Sequence, residues 1–106
     1  MQINNIKTIT ELSHLNGRVY VHLSTKVLAL RFLQQAEEEG FTFSDGARPT
    51  SRGAAEVMAV NSNHTINSVG TVGHIAYGSG ATQMGSKKLI RVRYLNPGVF
   101  LLERTV

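Results

Sequence analysis

Apolar positions follow a helical spacing in one long segment of the chain, residues 26–39, KVLALRFLQQAEEE. Apolar side chains recur there every three or four positions, which places them on one stripe that faces a core. The stripe consists of Ala29, Phe32, Leu33 and Ala36, with Leu30 beside it. Ser24 or Thr25 can cap the N-terminus of this helix, and Gly40 supplies the left-handed residue that ends it. The pattern therefore predicts one main helix.

Shorter segments show the two-residue alternation or the brief apolar runs that are typical of strands. They are RVYVHL (18–23), FTF (41–43), AEVMAVNS (55–62), HTINSV (64–69), HIAYG (74–78), KKLIRVRYL (87–95) and VFLLERT (99–105). Asn96-Pro97-Gly98 separates the last two segments and predicts a tight turn. We expect five or six short strands, and TITELSHL (8–15) predicts an additional short N-terminal helix. The fold expected from these elements is α+β, with a mostly antiparallel sheet and the main helix packed on one face.

Composition predicts one soluble globular domain over residues 1–106, because the chain is 42% hydrophobic and 17% charged. No apolar run approaches the roughly 20 residues that span a bilayer, and the first ten residues lack the layout of a signal peptide. The absence of cysteine excludes a disulfide framework, a thiolate metal site and a cysteine nucleophile. We expect a cytoplasmic protein without membrane contact, which gains stability as a homo-oligomer.

The positive charge of the chain is unevenly placed. Residues 1–43 hold four basic and four acidic side chains, whereas residues 44–106 hold seven basic and three acidic ones. The whole net charge of +4 therefore lies in the second part of the chain. Such an excess predicts a positive field there and an anionic partner.

The stretch GSGATQMGSKK, residues 78–88, has the glycine spacing of a phosphate-binding P-loop. A P-loop needs Gly-Lys-Ser/Thr followed by a helix, but here Ser86 precedes Lys87 and a strand follows, so we reject that interpretation. Small residues such as Ser79 and Gly80 still offer backbone amides that can form an anion nest, with Lys87 and Lys88 closing the loop. The alternative is a flexible connector between strands.

Arg91 and Arg93 share one face of a predicted strand, about 7 Å apart along it. Two guanidinium groups at that separation can hold a phosphate or carboxylate between them. If Asn-Pro-Gly is a three-residue turn, Glu103 falls opposite Arg91 and can neutralise it. Arg93 is therefore the better ligand candidate of the two.

Other polar residues are weaker candidates for a ligand site. Arg48 and Arg52 lie in a polar loop, where ligand contact and simple solvation are both common. Tyr77 can stack on a base or belong to the core. The four histidines are dispersed and only one aspartate is present, so the sequence predicts neither a metal site nor a catalytic triad, and no cofactor or enzyme activity. Glutamates 37–39 end the main helix, where their charge opposes the helix dipole.

One part of the chain resembles small proteins encoded by bacteriophages. The resemblance rests on GRVYVHLSTKVLALRFLQQAEEEGFTFSDG and on Ile75-Ala76-Tyr77-Gly78-Ser79, and covers roughly residues 18–79. Proteins of this kind counter bacterial immunity, some as oligomeric sponges for cyclic-nucleotide or ADP-ribose signals of the CBASS and Thoeris systems. Others are anti-CRISPR proteins that block an RNA-guided nuclease. The resemblance implies a role of this type in the host cell.

Charge helps to choose between these functions. DNA-mimicking anti-CRISPR proteins are generally acidic, whereas this chain is basic. We therefore expect a protein that sequesters a small anionic nucleotide without catalysis. The expected ligand residues are Arg93, Arg91, Lys87, Lys88, Ser79, Gly80, Tyr77, Arg48 and Arg52. The alternatives are inhibition of a Cas complex and nonspecific binding of nucleic acid, the latter marked by steep salt dependence.

Overall fold

The fold is described by a computed structural model that covers residues 6–79, 83–84 and 87–103. Its elements are α1 (Ile9–Ser13), β1 (Arg18–His22), α2 (Lys26–Glu38), β2 (Thr42–Phe43), β3 (Val57–Val60), β4 (Thr65–Ser68), α3 (Gly70–Gly78), β5 (Gln83–Met84), β6 (Lys87–Asn96) and β7 (Val99–Glu103). A 3₁₀ turn at Pro49–Ser51 lies between β2 and β3. The α+β class is confirmed, and these residues contain seven strands rather than the expected five or six.

The strands form a mixed sheet in the order β2-β4-β3-β1-β6, and both β5 and β7 pair with β6. The β1–β6 and β2–β4 pairs are parallel, while the other pairs are antiparallel. The prediction of a mostly antiparallel sheet therefore needs correction to a mixed one. Side-chain alternation along a strand shows which face is buried but carries no information about the direction of its neighbour.

Side chains of the sheet alternate between two faces. We call the first face the side that carries Val19, Val21, Met58, Val60, Val92 and Tyr94, which belong to one buried cluster with apolar residues of α1 and α2. Phe32 of α2 meets Tyr94 edge to face, with ring centroids 5.4 Å apart. The second face carries Tyr20, Val57, Ala59 and Leu89, which form a smaller cluster with Ala76 of α3.

The main helix, α2, has the start and end that its sequence predicts. Thr25 is its N-cap, because its side chain accepts a hydrogen bond from Leu28 N at 3.1 Å. Gly40 follows the helix with a φ of 84°. At this φ a residue with a β-carbon is strained, so glycine stabilises the exit from the helix.

Carboxylates at the end of α2 bind neighbouring backbone amides. Glu39 accepts hydrogen bonds from Ile9 N at 2.9 Å and Thr10 N at 2.7 Å, in the first turn of α1. Glu37 accepts from the amide and hydroxyl of Thr50, and these bonds lower the pKa of the Glu37 carboxyl. The carboxylates of Glu37 and Glu39 therefore oppose the α2 dipole, but they also bind the 3₁₀ turn and α1 to the end of α2.

Helix α3 replaces the strand predicted for residues 74–78, and that prediction is wrong. A short apolar run does not distinguish a helix from a strand, and glycine lowers helix propensity, so tertiary packing decides. Gly73 shows how: a β-carbon there would lie 2.7 Å from Val69 Cβ and 3.3 Å from Tyr20 Oη. Glycine thus allows α3 to approach β1 closely.

Candidate anion-binding cleft

Arg91 is a buried residue of β6, with 6% of its surface exposed. Its Nε donates to the carbonyl oxygen of Tyr77 at 3.0 Å, and its Nη2 donates to that of Ala76 at 2.9 Å. These carbonyls lie at the C-terminal end of α3, where a cation complements the helix dipole. Arg91 therefore ties α3 to the sheet, and ligand contact by Arg91 stays a prediction.

Arg93 lies two residues further along β6 and is exposed. The parallel register places it beside His22 of β1. The His22 ring stacks on Tyr77 at 5.6 Å, and His22 Nε2 lies 2.9 Å from Glu56 Oε2. Tyr77 is half-buried between His22 and Arg91, whose guanidinium carbon lies 5.5 Å from the Tyr77 ring centroid. Base stacking on Tyr77 stays a prediction.

The glycine-rich stretch is divided between two elements. Ser79 is the C-cap of α3, and Gly80 lies outside the described residues. Lys87 and Lys88 begin β6 and pair with β5, and both are exposed. By strand alternation only Lys87 belongs to the second face. Lys87 and Arg93 lie about 20 Å apart along β6, at roughly 3.4 Å per residue.

Arg48 and Arg52 lie in the loop around the 3₁₀ turn, beside β2. Arg52 forms an ion pair with Asp45, and the hydrogen bond from Arg52 lowers the pKa of the Asp45 carboxyl. Four strand-to-strand steps separate β2 from β6, which is about 19 Å at roughly 4.8 Å per step. The structure therefore does not bring Arg48 and Arg52 together with Arg93 or Lys87.

A cleft of about 320 Å³ lies at the end of the sheet where β1 and β6 begin. We call it the anion cleft and define it by six of its lining residues, which are Asn16, Arg18, Tyr20, Asn61, Ser62 and Lys87. Arg18 and Lys87 supply positive charge, and the described lining residues include no acidic side chain. The cleft therefore combines two cations with amide and hydroxyl groups.

Parallel pairing brings the two cations to one place. Arg18 is the first residue of β1 and pairs with Leu89, which lies two residues after Lys87 in β6. Both strands therefore start at the same end of the sheet, with Arg18 and Lys87 on the second face, about 7 Å apart along the strand direction. Both side chains are exposed, so their charged groups can reach a ligand.

Asn61 has a defined orientation in the wall of the cleft. Its Nδ2 donates to Thr65 Oγ1 at 3.1 Å and to Asn67 Oδ1 at 2.7 Å. Both amide hydrogens are thus used, and Asn61 Oδ1 accepts no hydrogen bond from any residue in the described part of the chain. Asn61 can therefore offer a ligand an acceptor but no donor.

Sequence reasoning identified Lys87 but missed Arg18, Asn16, Asn61 and Ser62. Arg18 carried one signal, because it alternates with apolar residues and so belongs to the polar side of β1. Its proximity to Lys87 depends on the parallel register between strands that are about 70 residues apart along the chain. No local pattern encodes that pairing.

Metal sites, membrane-spanning helices and related proteins are three further features that would indicate a function. The described residues contain no group of three His, Asp or Glu side chains that could hold a metal ion. None of the helices in the described ranges is long and apolar enough to cross a membrane. No protein-family model, curated protein or solved structure matches this chain. The resemblance to phage proteins therefore stays a prediction.

Proposed function

We propose that this protein captures a small phosphate-bearing molecule in the anion cleft and holds it without chemical change. The observation that carries the proposal is that Arg18 and Lys87 line the same cleft, whose described lining has no carboxylate. Cations next to a phosphate form charge-assisted hydrogen bonds, and the arginine can bind two phosphate oxygens at once. None of the described lining residues is a carboxylate that would compete with a phosphate for these two cations.

The dimensions and lining of the cleft agree with a small-molecule ligand. Its volume of about 320 Å³ falls in the range of small-molecule pockets, roughly 300–1,000 Å³. Tyr20 and Ala59 are buried residues in its wall, while Asn16 and Ser62 are exposed at its rim. The lining is more polar than that of most small-molecule pockets, and its two cations with amide and hydroxyl groups suit a phosphate-bearing ligand.

The biological role remains the one proposed from the sequence. In that role the ligand is a cyclic nucleotide or an ADP-ribose-type signal of bacterial immunity. The protein would sequester it in the cytoplasm of an infected host cell, as a homo-oligomer. Arg93 and Lys88 are exposed on β6 outside the described lining of the cleft, Arg93 about 20 Å from Lys87 and Lys88 on the opposite face of the sheet, so the proposed binding does not depend on them.

A binding screen tests the proposal. Thermal-shift assays and calorimetry would compare cyclic di- and trinucleotides, cyclic ADP-ribose isomers and their phosphate-free counterparts. A ligand present at 100 times its dissociation constant should stabilise the fold by about 2.7 kcal/mol. Arg18→Gln should abolish this shift, whereas Arg31→Gln, an exposed substitution on α2, should preserve it.

Three outcomes would contradict the proposal. Binding that is unaffected by Arg18→Gln would remove the anion cleft from the function. A complete lack of binding to phosphate-bearing compounds would remove the function itself. Tight binding to DNA or RNA that weakens steeply with salt would favour the nucleic-acid alternative, because many counterions are then released.

A further inference from the structure

The anion cleft also indicates which part of a phosphorylated molecule it recognises, an inference that rests on the proposed function. At about 320 Å³ the cleft lies at the small end of the range for ligand pockets, roughly 300–1,000 Å³. One phosphate with one sugar or nucleoside fits such a volume. A cyclic trinucleotide would be held only in part.

The polar groups of the cleft have different chemistries. Arg18 and Lys87 donate hydrogen bonds and carry positive charge, so they suit phosphate oxygens. Asn61 offers only its Oδ1 acceptor, because Thr65 and Asn67 take both Nδ2 hydrogens. A second phosphate has no hydrogen to donate to Asn61 when it is ionised, whereas a hydroxyl group does.

We infer that the cleft binds a ribose phosphate unit. The phosphate lies between Arg18 and Lys87, and a ribose hydroxyl donates a hydrogen bond to Asn61 Oδ1. Two molecular sources present this unit, a free mononucleotide or sugar phosphate and the 5′-phosphorylated end of an RNA strand. The shared chemistry is the ribose phosphate itself.

Isothermal titration calorimetry on the full chain tests the inference with four probes. The probes are ribose 5-phosphate, inorganic phosphate, free ribose and a 5′-phosphorylated oligoribonucleotide. Wild-type protein should bind ribose 5-phosphate about three- to tenfold more tightly than inorganic phosphate, the gain expected from one added hydrogen bond. Free ribose should not bind measurably.

Substitutions at the two ends of the cleft should have separate effects. Arg18→Gln should weaken ribose 5-phosphate and inorganic phosphate alike, by about tenfold or more, because a charged hydrogen bond is lost. Asn61→Ala should lower the affinity for ribose 5-phosphate to that for inorganic phosphate and leave the latter unchanged. Asn63→Ala is the matched control, because it removes an exposed amide from the same turn and neither of the two hydrogen bonds that orient Asn61.

The outcomes distinguish this inference from the proposed function. Equal binding of ribose 5-phosphate and inorganic phosphate, or an unchanged ratio in Asn61→Ala, would overturn the ribose assignment while phosphate capture stands. The same loss in Asn63→Ala as in Asn61→Ala would also overturn it, because the effect would then come from the structure of the turn and not from the Asn61 acceptor. Failure of every phosphate compound to bind would remove both. Preference for the oligoribonucleotide, still dependent on Asn61, would support the ribose phosphate assignment, identify the RNA end as the source and overturn the capture of a small molecule.

Discussion

The two faces of the sheet differ in what they bury and in what they leave available. The first face is covered by α1 and α2 and has a large apolar cluster that includes Phe32, Val92 and Tyr94. The second face is covered in part by the short helix α3, and its cluster is small. The basic side chains of Arg18 and Lys87 are exposed on this second face. The first face therefore contributes most of the apolar packing that stabilises the fold, while the second face carries the candidate site.

The largest effect should come from Phe32→Ala on the first face. Phe32 is fully buried against Tyr94, so its removal leaves a cavity and should lower the free energy of unfolding by about 3–5 kcal/mol. Leu89→Ala on the second face should cost less, about 2 kcal/mol, because the surrounding cluster is smaller. Urea unfolding measures both values. A greater loss for Leu89→Ala would reverse the assignment of the stabilising face.

A second effect concerns the buried hydroxyl of the first face. Tyr94 donates a hydrogen bond to Gln35 Oε1 at 2.8 Å, and burial raises the pKa of Tyr94 to about 12, with the Glu39 charge adding to the effect. Gln35 Oε1 also accepts from Gly98 N, which links α2 to the β6–β7 turn. This environment therefore favours the protonated phenol in the folded state.

The raised pKa of Tyr94 predicts a loss of stability at alkaline pH. Its contribution is fully present below pH 10, the usual tyrosine value, and is lost as the pH rises towards 12. The loss should reach about 2–3 kcal/mol, since one pKa unit corresponds to about 1.4 kcal/mol. Urea unfolding of wild type and Tyr94→Phe from pH 8 to 12 isolates the contribution of Tyr94 to the free energy of unfolding, because all other groups titrate in both proteins. If the two free energies fall in parallel as the pH rises, the raised pKa of Tyr94 does not affect stability.

A third, smaller effect tests how α3 is held on the second face. Arg91→Lys keeps the charge but loses the fork that binds two α3 carbonyls, so we expect a loss of about 1–2 kcal/mol. Hydrogen exchange should accelerate in α3 and remain slow in α2. Arg93→Lys, at an exposed position on the same face of β6, is the control and should change α3 exchange less. Equal exchange in the two variants would show that Arg91 does not hold the helix.

The smallest effect should come from the contact between α2 and the 3₁₀ turn. Hydrogen bonds from Thr50 lower the pKa of the Glu37 carboxyl, so the ionised form stabilises the fold above about pH 4.5. That contribution is lost as the pH falls through the lowered value. Glu37→Gln should slightly reduce the melting temperature at pH 7, and the difference from wild type should shrink below pH 4.5. Glu38→Gln, at the neighbouring exposed position, should change neither.

Elements that depend on local spacing could be predicted from the sequence. The stripe, the Thr25 cap and Gly40 together define α2, because helix periodicity and capping act within a few residues. The Asn-Pro-Gly turn also placed Arg91 opposite Glu103, as expected, although an irregularity between Tyr94 and Asn96 accompanies that register. These features required no knowledge of distant parts of the chain.

Other features depend on contacts between distant parts of the chain. The parallel β1–β6 pairing joins segments about 70 residues apart and brings Arg18 beside Lys87. Helix α3 occupies a segment whose local pattern favours a strand, and it is held there by Arg91, which binds its last carbonyls, while Gly73 avoids clashes with Val69 and Tyr20. Long-range pairing depends on the packing energy of the whole sheet rather than on local periodicity. For that reason the sequence predicted an anionic ligand through its charge, while the fold decided which cations can meet it.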